Sequence, residues 1–271
     1  MDVRFIKLSP TENITLLVPD EVPRELQGGI ASRLMRWDGV AAEQVGYIEK
    51  PTMPGARARL QMMGGEFCGN AAMSLGAVLA REDGLPEGEE REYVLEVSGS
   101  DSLVACRIAR VGNGYRGSVA MPPPVSIAPV ELELDGRRFA PAAVVFPGIT
   151  HLLIPADCGL SETQAEEALP EWCAHLGAEA LGLLFIDEDR DSMKPLVYVP
   201  GSGSICWERG CGSGAAALGC CRAYEKKGPC RVRVSQPGGV IEAEADGTGG
   251  IIGDVRISGL VRLLAEGVAY L

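Results

Sequence analysis

The stretch Cys206-Trp207-Glu208-Arg209-Gly210-Cys211-Gly212-Ser213-Gly214-Ala215-Ala216-Ala217 decides the reading of this chain. An apolar run, Pro195 to Val199, leads towards it, and a segment of small residues follows. An earlier stretch repeats the layout: Gly64-Gly65-Glu66-Phe67-Cys68-Gly69-Asn70-Ala71-Ala72-Met73, delivered by the strand-like Arg57 to Met63. In each, a cysteine preceded by a glutamate opens a helix of Ala, Gly, Leu and Met. From Gly69 to Arg81 nearly every position is apolar, and a helix without a polar face is a buried one. The expected architecture is α/β, in two halves, each with sheet around one central helix.

A cysteine at a helix mouth sits in a particular field. The first N–H groups of a helix lack intrahelical partners and carry the positive end of its dipole. They hold anions such as a carboxylate, and the same environment lowers a thiol pKa. Two such mouths facing each other would let one thiolate take a proton from carbon while the opposite thiol returns one.

The totals narrow the field. At 271 residues, two domains are the default. The formal net charge of -12 argues against nucleic acid or an anionic membrane as partner. The start of the chain has no signal-peptide pattern and no apolar run reaches membrane-spanning length, which reads as cytoplasmic. Nine cysteines with no C-x-x-C, and only two histidines, point away from zinc ribbons, redox pairs and His-rich metal sites. Cys106, Cys158, Cys173 and Cys230 read as small buried hydrophobes. Cys206, Cys220 and Cys221 are weak candidates for a soft metal, and no metal site is assigned. Five lysines in settings that do not suggest a Schiff base leave no place for pyridoxal phosphate, so no cofactor is expected.

Along the chain, Val3 to Val18 reads as a hairpin around Ser9-Pro10-Thr11-Glu12-Asn13, Ile30 to Trp37 as a helix, and Gln44 to Glu49 as a strand. Glu87 to Glu92 reads as an acidic loop, followed by strands at 93–97, 102–108 and 115–121. Pro122-Pro123-Pro124 is the clearest internal linker. The second half repeats the programme, with strands at 130–134, 142–146, 181–186 and 196–199, a helix over 161–176, and the buried helix over 212–223. A strand, turn and strand then surround Gln236-Pro237-Gly238-Gly239, and residues 253–271 supply one or two closing strands.

Phe67-Cys68-Gly69-Asn70-Ala71 and Cys211-Gly212-Ser213-Gly214, with Gln44 upstream and Pro237-Gly238-Gly239 downstream, resemble the diaminopimelate epimerases over essentially the whole chain. That resemblance implies two pseudo-symmetric domains, each a curled sheet around a central helix, with the site in the cleft between them. The boundaries it implies are 1–121, completed by a strand at 262–271, and 122–261. The asparagines with which that family holds the distal group of its substrate are replaced here by Met62-Met63, Gly148-Ile149-Thr150-His151 and Leu181-Gly182-Leu183-Leu184. A divergent branch is closer. Glu43-Gln44-Val45-Gly46-Tyr47-Ile48-Glu49, Val97-Ser98-Gly99 and the short Trp207-Glu208-x-x-Cys211 spacing resemble the histidine racemases of staphylopine-type metallophore biosynthesis. Arg209 departs from that branch, where a neutral residue is expected.

The resemblance implies Cys68 and Cys211 as the two acid–base catalysts, without a cofactor. Without an electron sink the carbanion must be held by water exclusion and fixed dipoles, so domain closure on the substrate is expected. Gly69, Asn70, Gly212 and Ser213 would hold the α-carboxylate through backbone N–H groups. Asn13 and Gln44 would line the cleft, and Glu208 would meet the substrate ammonium or side chain, with Arg209 as its alternative partner. Glu43 reads either as an imidazole contact or as a solvated strand-end residue, and His151 as structural. The expected partner is a small amino acid, and a homodimer is open. Competing readings are diaminopimelate epimerase or another amino-acid epimerase, a phenazine-type isomerase of the same fold, and a non-catalytic amino-acid-binding module.

Overall fold

A computed structural model describes residues 2–201 and 203–271. In chain order the elements are β1 (Asp2–Pro10), β2 (Thr15–Val18), α1 (Arg24–Met35), β3 (Gln44–Glu49), β4 (Ala58–Met62), α2 (Gly69–Glu82), β5 (Glu90–Val97), β6 (Val104–Val111) and β7 (Gly114–Met121). They continue with β8 (Ser126–Pro129), β9 (Leu132–Leu134), β10 (Arg137–Phe139), β11 (Ala142–Phe146), β12 (Ile149–Pro155), α3 (Glu162–Leu176), β13 (Leu181–Asp187) and β14 (Ser192–Val199). Last come β15 (Ser204–Trp207), α4 (Gly212–Lys226), β16 (Pro229–Gln236), β17 (Gly239–Asp246) and β18 (Val255–Tyr270). The chain divides into two compact units, Met1–Ala120 with Ser258–Leu271, and Met121–Ile257.

In the first unit, β1 to β7 lie side by side in sequence order, and β18 pairs with both β7 and β1. The strands therefore close on themselves around α2. That helix is buried at every position from Gly69 to Ala80, because it carries almost no side chain that needs water. Small residues let the strands approach it. A Cβ added at Gly117 would lie 2.8 Å from Met73 Cβ, and one at Gly76 would meet Cys106 and Ile108. A separate cluster joins Ile30, Ala31 and Leu34 of α1 to Val3, Leu16, Val18, Val45 and Tyr47.

Two expectations for this unit shift. The first helix runs from Arg24 to Met35 rather than 30–37, starting directly after Pro23. Gly28 and Gly29 are poor helix formers, but burial of Gln27, Ile30, Ala31 and Leu34 outweighs them. Trp37 lies beyond its end and is 92% exposed. The acidic segment is also partly strand: Glu90, Arg91 and Glu92 pair with β6, and Glu92 meets Arg107 across the ladder at 3.1 Å.

The second unit has the strand order β17-β16-β14-β13-β12-β11-β8, with β15 on β14 and β9–β10 as a separate hairpin. α4 packs on β11, β12, β16 and β17, and its buried positions run from Gly212 to Ala223 with Ser213 and Arg222 as exceptions. Gly219 explains itself here, since an added Cβ would come within 3.2 Å of Ala243. α3 begins with a reciprocal cap between Ser161 and Gln164 and ends on Gly177 at φ 62°. Its residues Ala165, Leu169 and Trp172 share a core with Leu183, Phe185 and Leu196. The closing segment is a single strand, β18, and Cys158 and Cys230 are only half-buried while Cys206 is exposed.

The turn that delivers Cys68 is fixed by its neighbour in the β5–β6 connection. Ser98 Oγ accepts from the Met62 N–H at 2.9 Å and donates to the Glu66 carbonyl at 2.8 Å. Gly99, at φ +72°, lies so close that a Cβ would sit 2.3 Å from the Phe67 nitrogen. Gly99→Ala is expected to lower stability by roughly 2–4 kcal/mol through the left-handed backbone and the clash together. Thermal unfolding checks this, and an unchanged Tm would contradict it.

Candidate active site

Each cysteine caps its own helix. Cys68 is the N-cap of α2 in extended backbone, its sulfur accepting from the Ala71 N–H at 3.4 Å. Cys211 is the N-cap of α4, with the same bond from Gly214 at 3.3 Å. The next two residues, Gly69-Asn70 and Gly212-Ser213, are the first of each helix, whose N–H groups have no intrahelical carbonyl to bond. Each unit thus sets a sulfur beside an anion-holding helix end.

In the first unit the thiol heads a network of amides. Cys68 Sγ donates to Gln44 Oε1 at 3.0 Å, and Gln44 Nε2 donates to Asn13 Oδ1 at 2.6 Å and Thr15 Oγ1 at 2.7 Å. Asn70 Nδ2 also donates to Asn13 Oδ1, at 3.0 Å, and Asn13 Nδ2 donates to Glu43 Oε2 at 2.6 Å. The loop carrying Asn13 is held in unusual backbone, with Thr11 and Glu12 at φ 49° and 58°, a conformation few non-glycine residues adopt. The structure thus brings Asn13, Gln44, Cys68, Gly69 and Asn70 together. Thr15 and the amide relay were not anticipated. Period-two alternation would have placed Thr15 on the Asn13 side of the hairpin, but nothing in its residue type marks it.

In the second unit Cys211 is 4% exposed. Gln236 clamps its peptide from both sides, accepting from the Cys211 N–H at 2.7 Å and donating to its carbonyl at 3.2 Å. Ser213 Oγ lies 3.6 Å from the sulfur and 2.9 Å from His151 Nε2. His151 is fully buried, and that burial lowers its pKa to about 3, so the ring is neutral. Its Nδ1 has no hydrogen-bond partner and lies against Gly182, where a Cβ would sit 2.2 Å away. An orphaned lone pair costs less than an orphaned N–H, so the proton belongs on Nε2, pointing at Ser213.

Burial first, and then the Glu208 carboxylate hydrogen-bonded to it, hold the Cys211 thiol well above the usual range. The Ser213 hydroxyl and the Gly214 N–H act the other way. This corrects the expectation of a lowered pKa: for Cys211 the helix end is outweighed by desolvation and a neighbouring anion. Glu208 therefore faces the thiol, and Arg209 Nη2 donates to the Pro237 carbonyl at 3.3 Å. Sequence reasoning set His151 aside as structural. Its position in the run Gly148 to His151 was the signal, but only the fold shows Ser213 beneath it. A separate pocket of about 440 Å³ in this unit, lined by Phe185, Lys194, Trp207 and Pro237 among others, does not include Cys211 or Ser213. Among the described residues, no helix is long and apolar enough to cross a membrane, and no cluster of His, Cys, Asp and Glu side chains is placed to hold a metal ion.

Residues 2–270 match the family model of the histidine racemase CntK N-terminal domain. The chain belongs to the histidine racemase family. It is 30% identical to a histidine racemase of Staphylococcus aureus over 99% of this chain and 98% of that one. Identity to a histidine racemase of Fusobacterium nucleatum is 31%, covering 98% and 97%. Among solved structures, a hydroxyproline epimerase from Agrobacterium vitis superposes with a TM-score of 0.72 at 11% identity, over 100% of this chain and 93% of that one. That last likeness is one of fold: the curled α/β architecture of the proline racemases and diaminopimelate epimerases. As a member of the histidine racemase family, the protein is an amino-acid racemase, an isomerase.

Removing the charge of Glu208 while keeping its shape should free the Cys211 thiol. In Glu208→Gln the Cys211 titration is expected to move to lower pH, read as thiolate ultraviolet absorbance after subtracting a Cys211→Ala control. A titration that stays in place would show that burial alone sets this thiol.

Proposed function

We propose that the protein interconverts L- and D-histidine without a cofactor, with Cys68 and Cys211 as the acid–base pair. The observation that carries this reading is the matched setting of the two sulfurs, each the N-cap of a buried helix with the first two residues of that helix beside it. The family to which the chain belongs, and the histidine racemases it resembles across almost its full length, supply the substrate.

The mechanism asks the two thiols to approach one α-carbon from opposite sides. Backbone N–H groups at Gly69, Asn70, Gly212 and Ser213 hold the α-carboxylate and the negative charge that spreads onto it as the proton leaves. Glu208 takes the substrate ammonium. That contact neutralises the anion that holds the Cys211 proton on, so the thiol ionises, its proton leaving to water, as substrate arrives. As the thiolate forms, Ser213 donates to it and His151 Nε2–H donates to Ser213. Neutral His151 orients this relay without itself losing a proton. At Cys68 the Gln44 carbonyl receives the S–H, which keeps that thiol poised as the acid. By the resemblance to the racemases of staphylopine-type biosynthesis, D-histidine supplies an opine-type metallophore.

Chiral chromatography tests the reading. Reduced protein, with no added pyridoxal phosphate, is expected to convert L-histidine to D-histidine, and Cys68→Ser and Cys211→Ser should each slow this by roughly 10²–10⁴-fold. Serine variants that racemise at the parental rate would remove the thiols from the mechanism.

A further inference from the structure

We infer that Gln236 is a positioning residue for Cys211: it supplies, from a distant strand, the capping side chain that α4 lacks, and proton transfer through that thiol depends on it. This rests on the two-thiol reading above and deepens it.

The start of α4 cannot cap itself fully. An N-cap residue has its own N–H outside the helix ladder, and in a reciprocal cap the side chain three residues on accepts from it. α3 does this within itself, Gln164 Oε1 accepting from the Ser161 N–H at 3.2 Å. In α4 the third helical residue is Gly214, which has no side chain to reach back. Nor is there room for one: a Cβ there would lie 3.0 Å from Leu184, 3.1 Å from Cys211 Sγ and 3.2 Å from Met193. The acceptor comes instead from 25 residues away, at the end of β16.

Gln236 does more than a local cap could. Its Oε1 accepts from the Cys211 N–H at 2.7 Å, while its Nε2 donates at 3.2 Å to the Cys211 carbonyl, which also receives the Ala215 N–H. One planar amide thereby holds the groups on both sides of the Cys211 Cα, and so the φ of −96° and ψ of 106° that aim the Cβ–Sγ bond. An amide carries donor and acceptor side by side, and these partners dictate which way round it lies. Gln236 is 8% exposed, and removing its amide would leave the Cys211 N–H buried without an acceptor. The turn that follows it is tied to the same segment, the Gly238 N–H bonding the Arg209 carbonyl at 2.7 Å. Cys211 is therefore placed by the β16–β17 turn as well as by its own helix. A misplacement of about 1 Å in a reacting group can cost roughly 10²-fold in rate.

The test is Gln236→Met, which keeps the length of the side chain and removes both hydrogen bonds. In steady-state racemisation of L-histidine, kcat is expected to fall roughly 10–100-fold while KM changes by less than about threefold. Without substrate, iodoacetamide should modify Cys211 about tenfold faster than in wild type and Cys68 at an unchanged rate, followed by peptide mass spectrometry. A loss of packing alone would expose both thiols together. Gln236→Asn, whose amide is one methylene short, should show a smaller loss of kcat with the same selectivity for Cys211, and serves if Gln236→Met folds poorly by circular dichroism. A kcat within about threefold of wild type, or equal acceleration at both cysteines, would overturn the inference while leaving the racemase reading in place. Wild-type protein inert towards L-histidine would overturn both.

Discussion

A buried helix must be dehydrated on every side, and its first turn must still find partners for its N–H groups. α2 and α4 meet the first condition with Ala, Gly, Leu, Met and Cys, and by curling sheet around themselves. They meet the second with a sulfur. As an N-cap, a thiol is a weak acceptor that satisfies one N–H of its helix. In the mechanism we propose, the fold and the chemistry have one origin: the residue that starts each core helix is also the one that exchanges a proton.

The two thiols are held by different means. Cys68 is half-buried and donates to the Gln44 amide, which is linked through Asn13 to Glu43. Cys211 is almost wholly buried, its peptide locked by Gln236 and its proton held by burial and by Glu208; in the proposed mechanism Ser213 and His151 stabilise the thiolate once it forms. A neutral His151 suits that task because it donates one hydrogen bond at any working pH and leaves no charge behind. Racemisation is symmetric in outcome, but nothing in the physics requires the two bases to have equal environments. They need only be matched when substrate is bound.

Much of this was legible in the sequence because it lies in local patterns. The two cysteine-to-small-residue junctions marked both core helices to within a few residues, and alternating apolar runs marked most strands. Asn13 and Gln44, singled out by resemblance, lie in one hydrogen-bond network with Cys68. What escaped depended on pairing across the chain. Gly182 looks like a lost asparagine position until His151 is seen lying against it, and the bond between His151 and Ser213 joins residues far apart in the chain. The Cys211 pKa was misjudged for the same reason: the helix dipole is read from sequence, whereas desolvation and the direction in which Glu208 turns are tertiary facts. Short strands such as β10 and β15 lack the length for a period to show, and Gly28-Gly29 hid the first half of α1.

The central claim is that two separate sulfurs carry the departing and arriving protons. Following L-histidine in D2O at low conversion, by proton NMR and mass spectrometry of the separated enantiomers, tests it most directly. Two bases predict that the first D-histidine formed carries deuterium at Cα, while the remaining L-histidine keeps its proton. Deuterium entering both enantiomers at equal early rates, or D-histidine that retains the original proton, would mean that a single base serves both faces and would contradict the account.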